Sequence, residues 1–236
     1  MRPEDIVEAL KSAFLRIREL DEPINERLDL YTRAVEQNFP PYAEAVEKLV
    51  ARLEAAGSGS LAPAVGEAMP PFLLPNENGR LVSLNDVLSS GPAAIVFFRG
   101  HWCPYCRMTS KTLAGIGERV RAQGGLLVAI TPERQPFARQ HKIEAGADFE
   151  MLCDAGKGYA ASLNLLIWLG AEVQTLLSGL GRNLAVYQGD PSWFVPIPAT
   201  FVVAQTGLIT ARHIDPDYRR RMDTDALVAA IQSART

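Results

Sequence analysis

The sequence predicts an α/β protein, a central mixed β-sheet flanked by helices, with a helical extension at its N-terminus. Three observations carry this. Residues 3 to about 56 place apolar side chains at helical spacing. Two fully apolar β-type runs, Ala93 to Phe98 and Leu126 to Ile130, are joined by an amphipathic stretch, which makes a strand–helix–strand unit. Near the end of the chain, Ala199-Thr200-Phe201-Val202-Val203 and Leu208-Ile209-Thr210 flank Thr206-Gly207, the pattern of an antiparallel hairpin at a sheet edge.

In the extension, Ile6, Leu10, Phe14, Ile17 and Leu20 keep one helical stripe, and Pro23 interrupts it. Ile24, Leu28, Tyr31 and Val35 resume the period. After Phe39-Pro40-Pro41, the residues Tyr42, Ala45, Val46, Leu49, Val50 and Leu53 predict a further helix. Such stripes must be buried on the following domain or on a second subunit, so the segment reads as a packing extension, with a homodimer through these helices as the alternative. Gly57-Ser58-Gly59-Ser60 reads as a flexible linker, which sets residues 1–57 as the extension and 62–236 as the main domain.

Asn76-Glu77-Asn78-Gly79 is a turn signal between Phe72-Leu73-Leu74 and Leu81-Val82, hence a hairpin. Ser83 is placed to cap a short helix, which Gly91-Pro92 ends. The run from Ala93 lacks polar alternation, as a strand buried on both faces should. The helix after Cys106 is expected to run through Leu113, Ile116 and Val120 to Gly124-Gly125. The crossover to Leu126–Ile130 is expected to be right-handed, and ligands of parallel sheets gather at the carboxyl ends of strands, where Trp102-Cys103 and Thr131-Pro132-Glu133 fall. A helix over Gln135 to Lys142, a strand over Phe149 to Leu152 and a helix from Lys157 to about Leu166 follow. Cys153, at a strand end, reads as a buried structural thiol, with a third redox role as the alternative. Over 167–196 the residues Trp168, Leu169, Leu176, Leu177 and Leu180 read as helical and Gly189 to Trp193 as a loop, with Trp193 and Phe194 either packing or lining a substrate mouth. The tail closes with a helix from Asp223 to about Ile231.

At 236 residues, 47% apolar and 22% charged, the chain has the composition of a globular domain. A net charge of −3 with both signs interspersed points to neither nucleic acid nor an anionic membrane as partner, and Arg219-Arg220-Arg221 reads as solvated surface. The first residues carry Glu4 and Asp5 where a secretory signal needs an apolar run, and no segment reaches the length of a membrane span, so a cytoplasmic protein is expected. Three cysteines do not form a structural disulfide framework, in keeping with a reducing compartment.

The chemistry centres on Ala94-Ile-Val-Phe-Phe-Arg-Gly-His-Trp-Cys-Pro-Tyr-Cys-Arg107, a strand that delivers two cysteines in C-x-x-C spacing. With a helix starting at Pro104, Cys103 meets the unpaired N–H groups and positive end of the helix dipole, which favour its thiolate. In such settings a cysteine pKa of about 8.5 falls to roughly 3.5–7.5. Cys106, one turn on, is placed to close a disulfide with Cys103. Arg99 and Arg107 add positive charge, and His101 either tunes the thiol or has no role. Inert core thiols or half a zinc site are the alternatives; for zinc only His101 and Cys153 remain as further ligands, where four are usual.

Trp102-Cys103-Pro104-Tyr105-Cys106 resembles the active site of thioredoxin-fold proteins, and Phe97-Phe98-Arg99-Gly100 resembles the peroxiredoxin-like members of the alkyl hydroperoxide reductase and thiol-specific antioxidant family. The resemblance runs from about Val65 to the end of the chain. It includes Val65-Gly66-Glu67 with Pro71-Phe72-Leu73-Leu74, Asn78-Gly79-Arg80 with Ser83-Leu84, Pro198-Ala199-Thr200-Phe201-Val202-Val203 and Asp215-Pro216-Asp217-Tyr218-Arg219-Arg220. It implies a thioredoxin-like fold and a redox-active Cys103/Cys106 pair, with Pro198 as a cis-proline opposite it. No flavin, nicotinamide or haem motif is present, so recycling would fall to an external thiol, the thioredoxin or glutathione system. The sequence departs from the P-x-x-x-T-x-x-C pattern of such peroxiredoxins. With Cys106 laid on that cysteine, Cys103 stands at the threonine and Arg99 at the proline, and Pro198 takes the place of the late arginine. Arg99 or Arg107 is then left to supply the charge, and Thr109 or Ser110 the hydroxyl. Helix-start geometry favours Cys103 as the attacking thiol; the peroxiredoxin register favours Cys106.

Three functions follow. The first is a thiol peroxidase reducing hydroperoxides, and the second a thioredoxin-like thiol–disulfide oxidoreductase. The third is a redox-sensing module without turnover.

Overall fold

Proline punctuates the first quarter of the chain, and three helices form between the prolines. They are α1 (Pro3–Ile17), α2 (Ile24–Asn38) and α3 (Pro40–Ala55). Proline opens α1 and α3, where its missing N–H costs nothing, and Pro23 caps α2. The structure, a computed structural model, describes residues 2–235.

The hairpin of β1 (Leu73–Pro75) and β2 (Leu81–Ser83) is closed by Asn76, whose Oδ1 accepts from Asn78 N at 3.0 Å and Arg80 N at 2.9 Å. Ser83 and Asp86 form a reciprocal capping box at the start of α4 (Leu84–Leu88). Then come β3 (Ala93–Phe97), α5 (Pro104–Gly115), α6 (Gly117–Ala122), β4 (Leu126–Thr131), α7 (Gln135–Ala145) and β5 (Glu150–Cys153). The chain continues through α8 (Gly158–Ser162), β6 (Leu166–Trp168), α9 (Ala171–Gly179), α10 (Leu184–Gln188) and β7 (Phe194–Pro196). It ends with β8 (Ala199–Val203), β9 (Ile209–Ile214) and α11 (Thr224–Ser233). The central sheet has the order β5-β4-β3-β8-β9, with β3, β4 and β5 parallel and β8 and β9 antiparallel to their neighbours. This is a thioredoxin-like α/β fold preceded by N-terminal helices.

The period of two along β3 divides the core. Ala94, Val96 and Phe98 face one cluster, shared with Phe14, Leu28, Tyr31 and Leu49 of the N-terminal helices and with Met108 and Leu113 of α5. Ala93, Ile95 and Phe97 face another, with Phe72, Val82, Leu163 and Phe201. The stripes of α1–α3 are therefore buried on this chain's own sheet domain.

Four expectations differ. The helix after Cys106 breaks at Ile116, between Gly115 and Gly117, since glycine costs a helix interior about 1 kcal/mol each relative to alanine. The helix expected from Lys157 to Leu166 stops at Ser162, and Leu166 starts β6 instead. Trp168 and Leu169 are not helical: Trp168 pairs with Phe194 across β6 and β7, an antiparallel ladder that local periodicity does not show, and Leu169 N bonds Trp193 O at 3.2 Å. Pro198 is not a cis-proline, for the described residues contain no cis peptide bond. Ile197 N is held by Leu165 O at 2.8 Å and Ala199 already pairs with Ile214, so the chain runs extended through Pro198.

Leu28 is fully buried where α2 meets the sheet domain. Leu28→Ala is expected to lower the stability of the whole protein by about 2–5 kcal/mol in urea unfolding. A loss below about 1 kcal/mol would mean that α2 is not part of the common core.

Candidate active site

The site is built where β3 turns into α5. Phe98 N still bonds Ile130 O at 2.9 Å, and then the chain turns sharply at Gly100, whose φ of +135° lies in the region that favours glycine. A Cβ there would stand 2.6 Å from Glu133 Oε1 and 2.8 Å from Trp102 Cδ1. Glu133 Oε2 accepts from His101 N at 2.7 Å and Trp102 Nε1 donates to Arg99 O at 3.0 Å, so the loop is fixed from both sides. Cys103 is thereby delivered to the N-cap of α5 with Pro104 at the first helical position.

Cys103 and Cys106 are both free thiols. Cys103 is 1% exposed and lines a cleft of about 240 Å³, while Cys106 lies wholly beneath it. Burial opposes the Cys103 thiolate, but hydrogen bonds from Cys106 and the positive charges of Arg99 and Arg221 outweigh it and bring the thiol down to about 6. Cys106 moves the other way: burial, and its role as donor to an ionised Cys103, push it well above the ordinary value. Its sulfur accepts from Arg99 N at 3.3 Å and lies 4.0 Å from Arg221 Nη2. Of the two possible attackers, the electrostatics favour Cys103.

Arg99 is the unusual group. Its guanidinium is buried, yet Nε, Nη1 and Nη2 have no hydrogen-bond acceptor. It lies over the Tyr218 ring at 3.8 Å and the Trp102 ring at 4.9 Å. Burial opposes its charge, but Cys103 and the phenols of Tyr218 and Tyr42 raise its pKa, so it stays protonated. Its donors are available to an oxygen-bearing ligand beside Cys103.

The N-terminal helices complete this chamber. Tyr31 of α2 packs edge-on to Tyr105 at 5.3 Å, Thr32 Oγ1 lies 3.0 Å from the Tyr105 hydroxyl, and Tyr105 meets Tyr218 edge-on at 5.2 Å. The third residue of the C-P-Y-C turn, Tyr105, is thus gripped by a helix of the N-terminal segment. Tyr31, Tyr42 and Tyr218 were not singled out as site residues from the sequence. Tyr31 carried only the signal of an apolar stripe, and Tyr218 that of the Asp215–Arg220 motif.

Glu144 of α7 forms a second node. Its carboxylate binds His101 Nε2 at 2.7 Å, Arg107 Nε at 2.9 Å and Arg18 Nη1 at 2.8 Å. Burial opposes its charge, but Arg107 and His101 hold the carboxyl down at about 2. For His101, burial outweighs Glu144 and lowers the pKa. Arg107 lines the cleft but has its charge partnered, so Arg99 is the cation with free donors at the cysteine.

Other expected residues lie apart from the chemistry. Thr109 donates to Tyr105 O at 2.8 Å, and the Ser110 hydroxyl lies 3.1 Å from Arg107 O and 2.9 Å from His141 Nε2. Pro198 is buried and does not line the cleft, nor do Trp193, which is buried, and Phe194, which is exposed. Cys153 is buried, and burial with the charges of Glu133 and Glu77 pushes it up to about 12. Among the described residues no cluster of His, Cys, Asp and Glu could hold a metal ion. The run 219–221 is not simple solvated surface: Arg219 pairs with Asp217 and Glu47, Arg220 with Asp29, and Arg221 turns inward to Cys106. Glu133, placed from the sequence at the carboxyl end of its strand but given no role, is fully buried with Oε1 unpaired, and burial raises it to about 8.

The model of the AhpC/TSA family matches residues 65–212. Among solved structures the chain is similar to the peroxidoxin BcpB of Mycobacterium tuberculosis, at 17% identity over 73% of this chain and 98% of that one, with a TM-score of 0.56. It is similar to peroxiredoxin Q of Xanthomonas campestris at 12% identity, covering 70% and 92%, with a TM-score of 0.52. A putative thioredoxin reductase from Burkholderia cenocepacia aligns at 14% identity over 71% and 97%, with a TM-score of 0.55. At such identities the likeness is one of fold. No curated protein matches the chain. The match begins after α3, so the helices that grip Tyr105 lie outside it.

Alkylation of Cys103 by iodoacetamide, followed by mass spectrometry, is expected to titrate with a midpoint near 6. Arg99→Met should raise that midpoint by roughly 1–3 units. A wild-type midpoint at the ordinary value of about 8.5 would contradict the assignment. Glu144 supplies a separate test of pH dependence. Its folded-state pKa is depressed, so its contribution to stability is present above the unfolded value of about 4.3 and lost as pH falls toward the folded one. The urea midpoint of Glu144→Gln should therefore lie below wild type at neutral pH, with the gap closing in acid; a constant gap would show that the ion pairs do not contribute.

Proposed function

The chain belongs to the AhpC/TSA family, and from that premise we propose that it is a peroxiredoxin-like thiol peroxidase acting through Cys103 and Cys106. One observation carries the reading: the thiol with the depressed pKa sits beside a buried guanidinium that has no acceptor, at the foot of a cleft sized for a small molecule. The Cys103 thiolate attacks the terminal oxygen of the hydroperoxide, the O–O bond breaks, and Cys103 becomes a sulfenic acid. The alkoxide leaves, is stabilised by the Arg99 donors and takes up a proton to give the alcohol or, from hydrogen peroxide, water. Cys106, as its thiolate, then attacks the Cys103 sulfur, hydroxide leaves and is protonated to water, and a disulfide forms. Arg221, 4.0 Å from the Cys106 sulfur, favours that second thiolate and partly offsets the burial that holds the Cys106 pKa high.

Two equivalents of an external thiol, from a thioredoxin or glutathione system, reduce the disulfide. The reading places the protein in the cytoplasm and treats 1–57 as an extension on a 62–236 domain. A thiol–disulfide oxidoreductase is the second reading, favoured by the position of Cys103 at the N-cap of α5. The near-complete burial of Cys103 weighs against a protein disulfide as its substrate.

Reduced wild-type protein with a slight excess of hydroperoxide is expected to lose two thiols in a single turnover. Cys106→Ser should stop at a sulfenic acid that dimedone traps, and Cys103→Ser should not react. A rate no better than free cysteine, in a protein that reduces insulin readily, would replace the first reading with the second.

A further inference from the structure

We propose that Asn25 of α2 is a positioning residue for disulfide closure: it fixes the main chain of Arg221 and so keeps that guanidinium at the sulfur of Cys106. This builds on the peroxidase reading and adds to it the part of the chain that controls the resolving step.

Residues 215–223 belong to no helix or strand, so side chains from elsewhere decide where this loop lies. Asn25, half-buried at the second position of α2, meets it with both ends of one amide. Its Nδ2 donates to Arg221 O at 3.0 Å, and its Oδ1 accepts from Arg221 N at 3.0 Å. Hydrogen bonds are directional, so two of them to one residue fix its orientation as well as its place. The Arg221 side chain is buried and points inward. Nη1 donates to Arg220 O at 2.6 Å and to Tyr218 O, Nη2 lies 4.0 Å from Cys106 Sγ, and Nε has no acceptor. Among the described residues no carboxylate pairs with Arg221, whereas Arg219 meets Asp217 and Glu47, and Arg220 meets Asp29. A buried guanidinium bound to carbonyls keeps an uncompensated charge, and the sulfur of Cys106 is a group beside it that can become the anion.

The need for that charge arises during turnover. While Cys103 is a thiolate, it holds the Cys106 proton in place; once Cys103 is a sulfenic acid, burial of Cys106 stands against Arg221 and Arg99 alone. His141 of α7, close to the Cys106 main chain, is kept neutral by burial, at about 3. Cys106 then loses its proton and its sulfur supplies an electron pair to the Cys103 sulfur. The S–O bond breaks, and hydroxide leaves and is protonated to water. Coulomb attraction weakens with distance and with entry of water, so a shift of the loop that carries Arg221 slows this step. Asn25 and Arg221 both lie outside the family match at 65–212, so the flanks add this control to the matched domain.

The test follows closure in the full-length reduced protein without peroxide. Cys103 attacks dithiodipyridine and releases one thiopyridone. Cys106 then attacks the Cys103 sulfur, and the second thiopyridone leaves in a phase independent of reagent concentration, which Cys106→Ser should abolish. The pH midpoint of that phase should rise by roughly 1–3 pH units in Arg221→Met and by roughly 1 in Asn25→Ala. At pH 7 closure in Asn25→Ala should be about threefold slower or more, since the more basic thiolate is the better nucleophile and recovers part of the loss. The double variant should show no higher midpoint than Arg221→Met, because Asn25 acts through Arg221. Asp29→Asn, which loosens the same helix–loop contact at Arg220, should leave the midpoint where it is. Asn25→Ser carries the comparison if circular dichroism shows the alanine variant unfolded. An unchanged midpoint in Arg221→Met or Asn25→Ala, an additive double variant, or an equal shift in Asp29→Asn overturns the proposal, whatever the protein does with hydroperoxides. The expected shifts, in a protein whose Cys103 no hydroperoxide oxidises, overturn the peroxidase reading and leave Asn25 in its role for closure of a mixed disulfide.

Discussion

A guanidinium that is buried, charged and without an acceptor is costly unless its surroundings compensate, and Arg99 is in that position beside Cys103. Compensation comes from two aromatic faces and from the thiolate itself. The pairing is reciprocal: Arg99 favours the Cys103 anion, and that anion favours the Arg99 cation. Aromatic rings and a pinned loop enclose the pair. Tyr218 covers one side of the guanidinium and Trp102 another, while Glu133 pins the loop that carries both Arg99 and Cys103. Glu144 of α7 is engaged by His101, Arg107 and Arg18.

The N-terminal helices are required by the same constraint. Without α2, the Tyr105 hydroxyl would lose Thr32 and its ring would lose Tyr31, and the wall that shields Cys103 would be open. The helices are tied back by polar contacts as well as by apolar burial. Arg27 reaches Thr112 of α5, Asn25 bonds the backbone of Arg221 at both N and O, and Arg18 reaches Glu144. A segment outside the matched family domain therefore shapes the access to the cysteines. This is how a redox motif common to a broad fold acquires a cleft of its own.

The sequence made the frame legible where one residue pattern dominates. The unbroken apolar run of β3, the proline and serine boundaries of α2, α3 and α4, and the Thr206-Gly207 turn between β8 and β9 all read directly. Helix-start chemistry also placed Cys103 at an N-cap. Illegible were features that depend on partners remote in sequence. β6 and β7 are three residues each and exist only by pairing across Leu166–Pro196, so Trp168 looked helical from its neighbours. Arg219, Arg220 and Arg221 form one run in sequence but have three different fates, decided by Glu47, Asp29 and Cys106. Tyr31 keeps the spacing of a core stripe whether or not its ring borders a reacting group, and the isomer of the bond before Pro198 was carried over from a resemblance that this strand does not follow.

The central claim is that Arg99 does more than lower a pKa: its free donors stabilise the oxygen leaving the peroxide. This is tested by comparing the second-order rate of Cys103 oxidation in wild type and Arg99→Met at a pH above both thiol midpoints, where the two proteins are equally ionised. The account predicts that Arg99→Met remains slower by about 10²–10³-fold, as when a donor to a developing oxyanion is lost. Equal rates at that pH would contradict it and leave Arg99 with an electrostatic effect on the thiol alone.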